Sequence, residues 1–438
     1  MTNKSVGPDI DPSYIAVNQL RIGMFVELEL GWMAHPFPSG SFRISSEKQI
    51  DVIRSLGLTR VRHLAHKSDP VSAEGDPQLG GAVADATSAA AALAADELRA
   101  ESLRRQHAAL IDAQQKSLLI CDRRFGEAIR QYRQVVDSVA SKPQGARDQC
   151  LRMVGGFVGE LLDEGESSIR LLSEGMGDRA TMHPINVMVL SLLLGKSMDL
   201  PKPDLLDLGL GAFLHDIGKT LLPVRVRWFE DSFSSTEYKL YQDHVAQSVG
   251  IGQRMELSKG ALQVVAQHHE LADGSGFPAK LRGDQISPVA KVLALVNRYD
   301  NLCNPSKPSA AITPHEALAL IFAQHKNRFD SSVLSAFIRM MGVYPPGSVV
   351  QLVDERYALV VSVNSSRPLK PKIIVYERGV PKEEALMLDL EQASATGIRR
   401  SLKPSALPRD ALDYLSPRQR MCYFFEHAVD PDLVEPLS

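Results

Sequence analysis

Cysteine is scarce in this chain of 438 residues: the four present, Cys121, Cys150, Cys303 and Cys422, are scattered along it. With no CxxC spacing among them, neither a disulfide framework nor a thiolate zinc site is indicated, and reduced thiols in a cytoplasmic protein are expected. Charge of one sign is also lacking, since the formal net charge is -3. General nucleic-acid binding, which shows as a strongly basic face, is therefore not expected. No stretch approaches the roughly 18 uninterrupted apolar residues of a membrane span, and the opening MTNKSVGPDIDPSYIAV lacks the apolar core of a signal peptide, so no membrane association is expected. No internal repeat is visible. What the chain does have is 44% hydrophobic residues, enough for at least one large core in a length that suits two or three domains.

Pattern divides the sequence into six parts. Residues 1–68 read as a small α/β domain: FVELEL alternates like a strand, SEKQIDVIRSLGL is a short helix closed by Gly57, and TRVRHLA is another strand. Residues 69–95 are a linker by their Gly, Pro, Ser and Asp content. Residues 96–143 form a helical connector, in which Leu103, Leu110, Leu118, Phe125, Ile129, Tyr132, Val136 and Val139 make an amphipathic stripe. That stripe suits one long helix or a hairpin of two, and either packing against the chain's own body or a homodimer. Residues 144–345 give successive helices with few strand signals. VVQLVDERYALVVSVN and PKIIVYE, within 346–393, are strands of a small β appendage. The tail, 394–438, is polar and proline-punctuated until PRQRMCYFFEHAV, read as a last helix.

Histidine is unevenly spent. Of twelve, five fall beside helix-end signals in the helical region. LLDLGLGAFLHDIGK is an apolar helix that ends in His215-Asp216 and stops near Gly218, so an imidazole and a carboxylate meet at one point, as a borderline-hard divalent ion requires. SSTEYKLYQDHVAQSVG opens with a capping box, Ser234 to Glu237, and carries His244 at the border of its apolar face. In KGALQVVAQHHE, His269 shares a face with Leu262 and Val265, while His268 lies about 100° away, so both reach one cluster only where a site straddles the helix edge. SPVAKVLALVNRYDNLCN has Ser287 as N-cap, Pro288 at the first helical position and Asp300 on the stripe of Leu293 and Val296. A buried carboxylate there needs a cation or helix-end donors. TMHPINVMVLSLLLGK sets His183 at the start of an apolar helix. Singly, each histidine is more often a satisfied core residue than a ligand. Jointly, five histidines and two aspartates are too many for one tetrahedral ion and suit two ions sharing a carboxylate.

In that order, HDIGK, His244, HHE followed by DGSGFP, and YDNL resemble the HD-GYP family of cyclic di-GMP phosphodiesterases, a branch of the HD metal-dependent phosphohydrolases, over residues 145–345. LRIGMFVELELGWMAHPFPSGSF is similar to the small N-terminal domain that often precedes such domains in bacteria. The fold implied is mainly α: an HD-type helical bundle with a small α/β N-terminal domain, a long helical connector and a small β appendage toward the C-terminus. The resemblance implies His183, His215, Asp216, His244, His268, His269 and Asp300 as metal ligands, with Asp216 as the bridging, catalytic carboxylate. It implies two divalent transition metal ions, iron or manganese, and Lys219 on the substrate phosphate. Substrate contacts are expected from the loop residues Asp273, Gly274, Gly276, Phe277 and Pro278, with Asp273 equally a turn-former, and from Arg282 and Lys307.

Two departures carry expectations of their own. Some members hold a third metal on a glutamate one turn before the first histidine; here that residue is Arg179, which implies two metals. The tyrosine of Gly-Tyr-Pro is Phe277, which keeps the ring and loses the hydroxyl. After Asp300, NPSKPSAAITPHEAL offers Lys307 alone as a basic residue. The reaction expected is hydrolysis of cyclic di-GMP to linear pGpG, and on to GMP, by a water whose pKa the paired ions lower. A cyclic di-GMP sensor or scaffold without turnover, and a phosphohydrolase of another nucleotide, stand as rival expectations.

Overall fold

The structure, a computed structural model, describes residues 14–28, 37, 41–56, 58–69, 82–163, 165–364, 367–393 and 396–427. Residues 1–13, parts of the FVELELGWMAHPFPSGSF segment, Gly57, residues 70–81 of the expected linker and the end of the tail lie outside these. The chain forms two compact units, Met1–Gln106 and His107–Ser438.

In the first unit, β1 (Tyr14–Ala16), β2 (Phe25–Glu27), β3 (Ser41–Arg43) and β4 (Arg60–His63) make an antiparallel sheet in the order β1-β4-β2-β3. Helix α1 (Glu47–Ser55) starts at Ser46, whose hydroxyl caps the Gln49 amide, and buries Ile50 and Ile53 with Val26, Ile44 and Val61. Helix α2 then runs unbroken from Ala82 to Ser138. Of the two forms expected for the connector it takes the single long helix, and it begins inside the segment expected to be linker. There the alanines from Ala89 to Ala95 outweigh the Gly, Pro, Ser and Asp on which the linker was read, since alanine is the strongest helix former. The stripe on α2 divides, with Phe125, Ile129 and Tyr132 buried while Leu103 and Leu110 are more than half exposed.

The second unit is built around α4 (Arg179–Ser197), in which every residue from Thr181 to Gly195 is buried. A helix apolar on all sides must be central, and α4 packs against α5 (Lys202–Leu214), α8 (Pro288–Cys303) and α3 (Pro143–Leu162). Around them lie α6 (Ser235–Arg254), α7 (Lys259–Gln267), α9 (Pro314–Gln324) and α10 (Ser331–Met341). The capping box at Ser234 and Glu237 opens α6 as expected, and Pro288 opens α8.

The β region toward the C-terminus is an antiparallel sheet, as expected, and it takes in one strand from the helical segment. Seven antiparallel strands form its sheet: β5 (Ser167–Leu171), β6 (Val349–Leu352), β7 (Tyr357–Asn364), β8 (Lys372–Val375), β9 (Met387–Asp389), β10 (Ile398–Leu402) and β11 (Tyr423–His427). The spine runs β10-β6-β7-β5-β11, with β8 paired to β7 and β9. Strand β5 comes from between α3 and α4, so the sheet is woven into the helical body. Strand β11 overturns the expected last helix. Its run from Met421 to Phe425 is wholly buried, too short for a core helix and rich in aromatics, which is the pattern of a strand covered on both faces. The tail's helix is instead α11 (Arg409–Leu415). Among the described residues no helix is long and apolar enough to cross a membrane.

Candidate metal centre

Four segments supply the five histidines: the ends of α5 and α7, the first turns of α4 and the middle of α6. His215 caps the C-terminus of α5, and Asp216 follows as the chain enters a 3₁₀ turn, Ile217–Leu221. That turn lies against α6 because residue 218 is glycine: a Cβ there would stand 2.3 Å from the His244 carbonyl oxygen. The Gly218 amide donates to Ser248 Oγ at 2.9 Å, which brings Asp216 to His244. Helix α7 ends at Gln267, so His268 is its cap and His269 lies beyond it. The two adjacent rings reach one cluster because the helix stops, which removes the 100° separation expected of helical neighbours.

The hydrogen bonds fix what these rings offer. Nδ1 of His215, His244 and His268 lies 2.7, 2.5 and 2.7 Å from the carbonyls of Ala212, Tyr241 and Val265. A carbonyl only accepts, so each Nδ1 carries the proton and each Nε2 keeps a lone pair. Those lone pairs face one another. His215 Nε2 is 3.2 Å from His183 Nε2, and His244 Nε2 is 3.2 Å from Nε2 of both His268 and His269. Asp216 stands between, Oδ2 at 3.4 and 3.5 Å from His215 and His183, Oδ1 at 3.5 Å from His244. Oδ1 is buried with no donor in the protein. Burial pushes the imidazolium of His183, His268 and His269 below its ordinary pKa and that of His244 down to about 4. Neutral acceptors aimed at each other in a dry interior are unfavourable by several kcal/mol unless a cation lies among them. The donors form two groups that share Asp216: with His244, His268 and His269, and with His183 and His215. Imidazoles with one carboxylate suit a first-row divalent ion, so the residues present fit a metal.

Asp300 joins neither group. Its Oδ2 lies 2.5 Å from His183 Nδ1, and its Oδ1 accepts from Asn186 Nδ2 at 3.0 Å and Asn304 Nδ2 at 2.9 Å. It holds the His183 ring with Nε2 turned to Asp216. Lys219 Nζ sits 2.6 Å from Asp216 Oδ2.

A cavity of about 730 Å³ opens over this cluster, a usual size for a small-molecule site. Lys219, Gly276, Phe277 and Lys307 line it; Asp273, Gly274, Pro278 and Arg282 do not. The loop's glycines serve the protein's own packing. A Cβ on Gly276 would stand 2.4 Å from the His269 carbonyl oxygen, and Gly274, at φ +77°, leaves room for the Arg282 side chain. Asp273 closes its own turn by accepting from the Ser275 amide at 2.9 Å. Buried Glu270 accepts from the Ala279 and Leu281 amides at 2.6 and 2.8 Å and sets the path of the loop. The result is that Phe277 lies stacked on His269, ring centroids 4.4 Å apart.

Residues 168–333, which contain every ligand candidate, match the family described as HD domain. This segment is an HD domain. Residues 14–150 match a domain described as of unknown function, DUF3391. The chain is 28% identical over 370 residues to the cyclic di-GMP phosphodiesterase PA4108 of Pseudomonas aeruginosa, covering 83% of this chain and 84% of that one. It is 22% identical over 229 residues to the cyclic di-GMP phosphodiesterase PdeB of Borreliella burgdorferi, 52% of this chain and 60% of that one. Among solved structures, the HDG"Y"P protein Bd1817 of Bdellovibrio bacteriovorus aligns at 15% identity with a TM-score of 0.42, over 74% of this chain and 97% of that one.

The HD domain also uses residues that the sequence reading passed over. Asn186 and Asn304 tie Asp300 to β11 through the backbone of Met421 and Tyr423. A helical-spacing signal existed for both: Asn186 is three residues after His183 on an apolar helix, and Asn304 four after Asp300. No local signal existed for β11. The cavity also has Arg179, Arg298, Arg328 and Trp228 on its wall, so Lys307 is not its sole cation beyond Lys219.

His244 gives the fold a pH dependence. Its ring titrates near 6.5 when unfolded and, through burial, near 4 when folded. Between those values the unfolded chain binds more protons, so the stability is whole above pH 6.5 and is lost as pH falls toward 4. At about 1.4 kcal/mol per pKa unit this one group accounts for about 3 kcal/mol. Chelator-treated protein is expected to melt progressively lower from pH 7 to pH 4.5. A melting temperature flat across that window would mean the ring is solvated.

Proposed function

We propose that the protein is a metal-dependent phosphodiesterase that hydrolyses cyclic di-GMP to linear pGpG in cytoplasmic second-messenger signalling. The observation that carries the reading is the set of imidazole lone pairs converging with an undonated Asp216 oxygen, beside a cavity that His269 and Lys219 line together with further cations and aromatic rings. The relatives' activity points the same way. His183, His215 and Asp216 would hold one ion and Asp216, His244, His268 and His269 a second, with iron or manganese the metals this donor set favours. Two such ions supply a water of lowered pKa and neutralise charge at phosphorus when bound.

The chain's own groups do the rest. Backbone carbonyls and Asp300 hold the rings in one tautomer, so no reorganisation is needed as charge develops. Lys219 brings a buried cation to the Asp216 edge, where a phosphate oxygen would lie. Phe277, on the cavity wall, offers a flat face to a base, and stacking accepts a base without reading its edge. Self-association through the exposed Leu103 and Leu110 of α2 belongs to the same reading, and light scattering of the full chain decides it.

The test is an anaerobic assay of the full chain, loaded with Mn²⁺ or Fe²⁺, given cyclic di-GMP with products separated over time. Accumulation of pGpG is the expected result. Tight binding without product would make the protein a sensor, and indifference to the nucleotide would overturn the reading.

A further inference from the structure

Arg179 opens α4, one helical turn before His183, and its guanidinium is placed with care. Nε donates to the Asn304 carbonyl at 2.7 Å and Nη2 to Asn301 Oδ1 at 2.5 Å. The guanidinium carbon lies 4.2 Å from the centre of the Trp228 ring. Both acceptors are neutral, and among the described residues no carboxylate forms an ion pair with this side chain; the nearest acids are engaged elsewhere, Asp216 with Lys219 and Asp300 with His183 and the two asparagines. The third nitrogen, Nη1, is buried and bonded to nothing in the protein. A full positive charge with an unused donor, held rigid by stacking and two hydrogen bonds, is costly unless an anion completes it. Arg179 lines the same cavity as Lys219, and Lys219 Nζ lies 5.0 Å from the same Trp228 ring. The two cations thus flank one indole beside the Asp216 cluster.

We propose that Arg179 Nη1 binds a non-bridging oxygen of the substrate's phosphodiester, so that Arg179 and Lys219 form a two-cation grip on the phosphate next to the metal ligands. This rests on the phosphodiesterase reading above. A guanidinium fork suits phosphate better than an ammonium does. Because a phosphate carries no base identity, the grip serves cyclic dinucleotides alike.

The experiment compares the Mn²⁺-loaded full chain with Arg179→Met, which keeps the stem over Trp228, and Arg179→Lys, which keeps the charge. Arg179→Met is expected to lose at least tenfold in kcat/KM, mainly through KM, by the same factor for cyclic di-GMP and for the mixed guanine-adenine cyclic dinucleotide. Bound metal and melting temperature are expected to stay at wild-type values. Arg179→Lys is expected to retain several-fold more activity than Arg179→Met; equal losses in the two would assign Arg179 to holding Asn301 and Asn304 and overturn the proposal. So would a kcat/KM within twofold of wild type, or a loss that follows metal content. Calorimetric titration of the same proteins with inorganic phosphate separates this inference from the reading beneath it. If the wild type does not hydrolyse cyclic di-GMP but Arg179→Met weakens phosphate binding at least fivefold, the anion site stands and the substrate reading falls. Unchanged phosphate affinity overturns the site whatever the substrate.

Discussion

Asp216→Ala is expected to lower turnover of cyclic di-GMP by at least about 100- to 1,000-fold, the usual cost of removing one preorganised electrostatic group from an active site. The true loss should exceed that, because Asp216 serves both ligand groups at once. Without it, five imidazoles face each other with no negative charge among them, and Lys219, already pushed down in pKa by burial, loses the carboxylate that keeps it an ammonium. Asp216→Asn separates charge from shape: the amide fills the same space, so its melting curve should stay close to wild type while its activity falls with that of the alanine variant. Circular dichroism should remain helical for both, since the core around α4 does not depend on this side chain. Elemental analysis is expected to find less than one equivalent of metal in either. Activity at the wild-type rate in Asp216→Ala would remove this residue from the site.

What the sequence revealed about the site follows from how the site is built. His215-Asp216 and His268-His269 sit at helix ends, where capping and glycine signals are strong, so their positions were legible without tertiary information. Gly218 and Gly276 were legible as glycines but not as to purpose. Each lets the chain touch another backbone segment, that of His244 on a different helix in one case and that of His269 earlier in the same loop in the other. The hydrogen-bond partners of Asp300 were not legible for a related reason. Burial on an apolar stripe predicts that a carboxylate needs partners, but whether they are an ion or a histidine with two asparagines depends on what packs opposite. The β elements were least legible. In β11, the run from Met421 to Phe425 satisfies helix and strand patterns alike over so short a length, and its pairing partner, β5, lies some 250 residues earlier. The cations Arg298 and Arg328 escaped attention because each looks solvated in sequence, and only the cavity collects them with Arg179.

The last strand is expected to matter to the centre it never touches. Asn186 donates from Nδ2 to Asp300 Oδ1 and to the Met421 carbonyl, the latter at 2.6 Å, and accepts from the Tyr423 amide at 3.0 Å. Asn304 repeats the pattern, donating to Asp300 and, at 2.8 Å, to the Met421 carbonyl while accepting from the Met421 amide at 2.8 Å. Two amides, each donating twice and accepting once, thus clamp the start of β11 to the carboxylate behind His183. Asn304→Leu keeps the volume and removes the clamp on one side. It leaves the Met421 amide unsatisfied and Asp300 with one donor fewer, at about 1–3 kcal/mol for each buried group so stranded. Because Asp300 orients a ligand ring, turnover is expected to fall about 10- to 100-fold, the usual effect of losing a group behind a metal-binding histidine. The informative measurement is the metal dependence of the rate. If the clamp acts through His183, raising Mn²⁺ should recover part of the activity of Asn304→Leu. A variant that melts lower but shows wild-type metal affinity and rate would mean that β11 only fastens the fold, with His183 held by Asp300 alone.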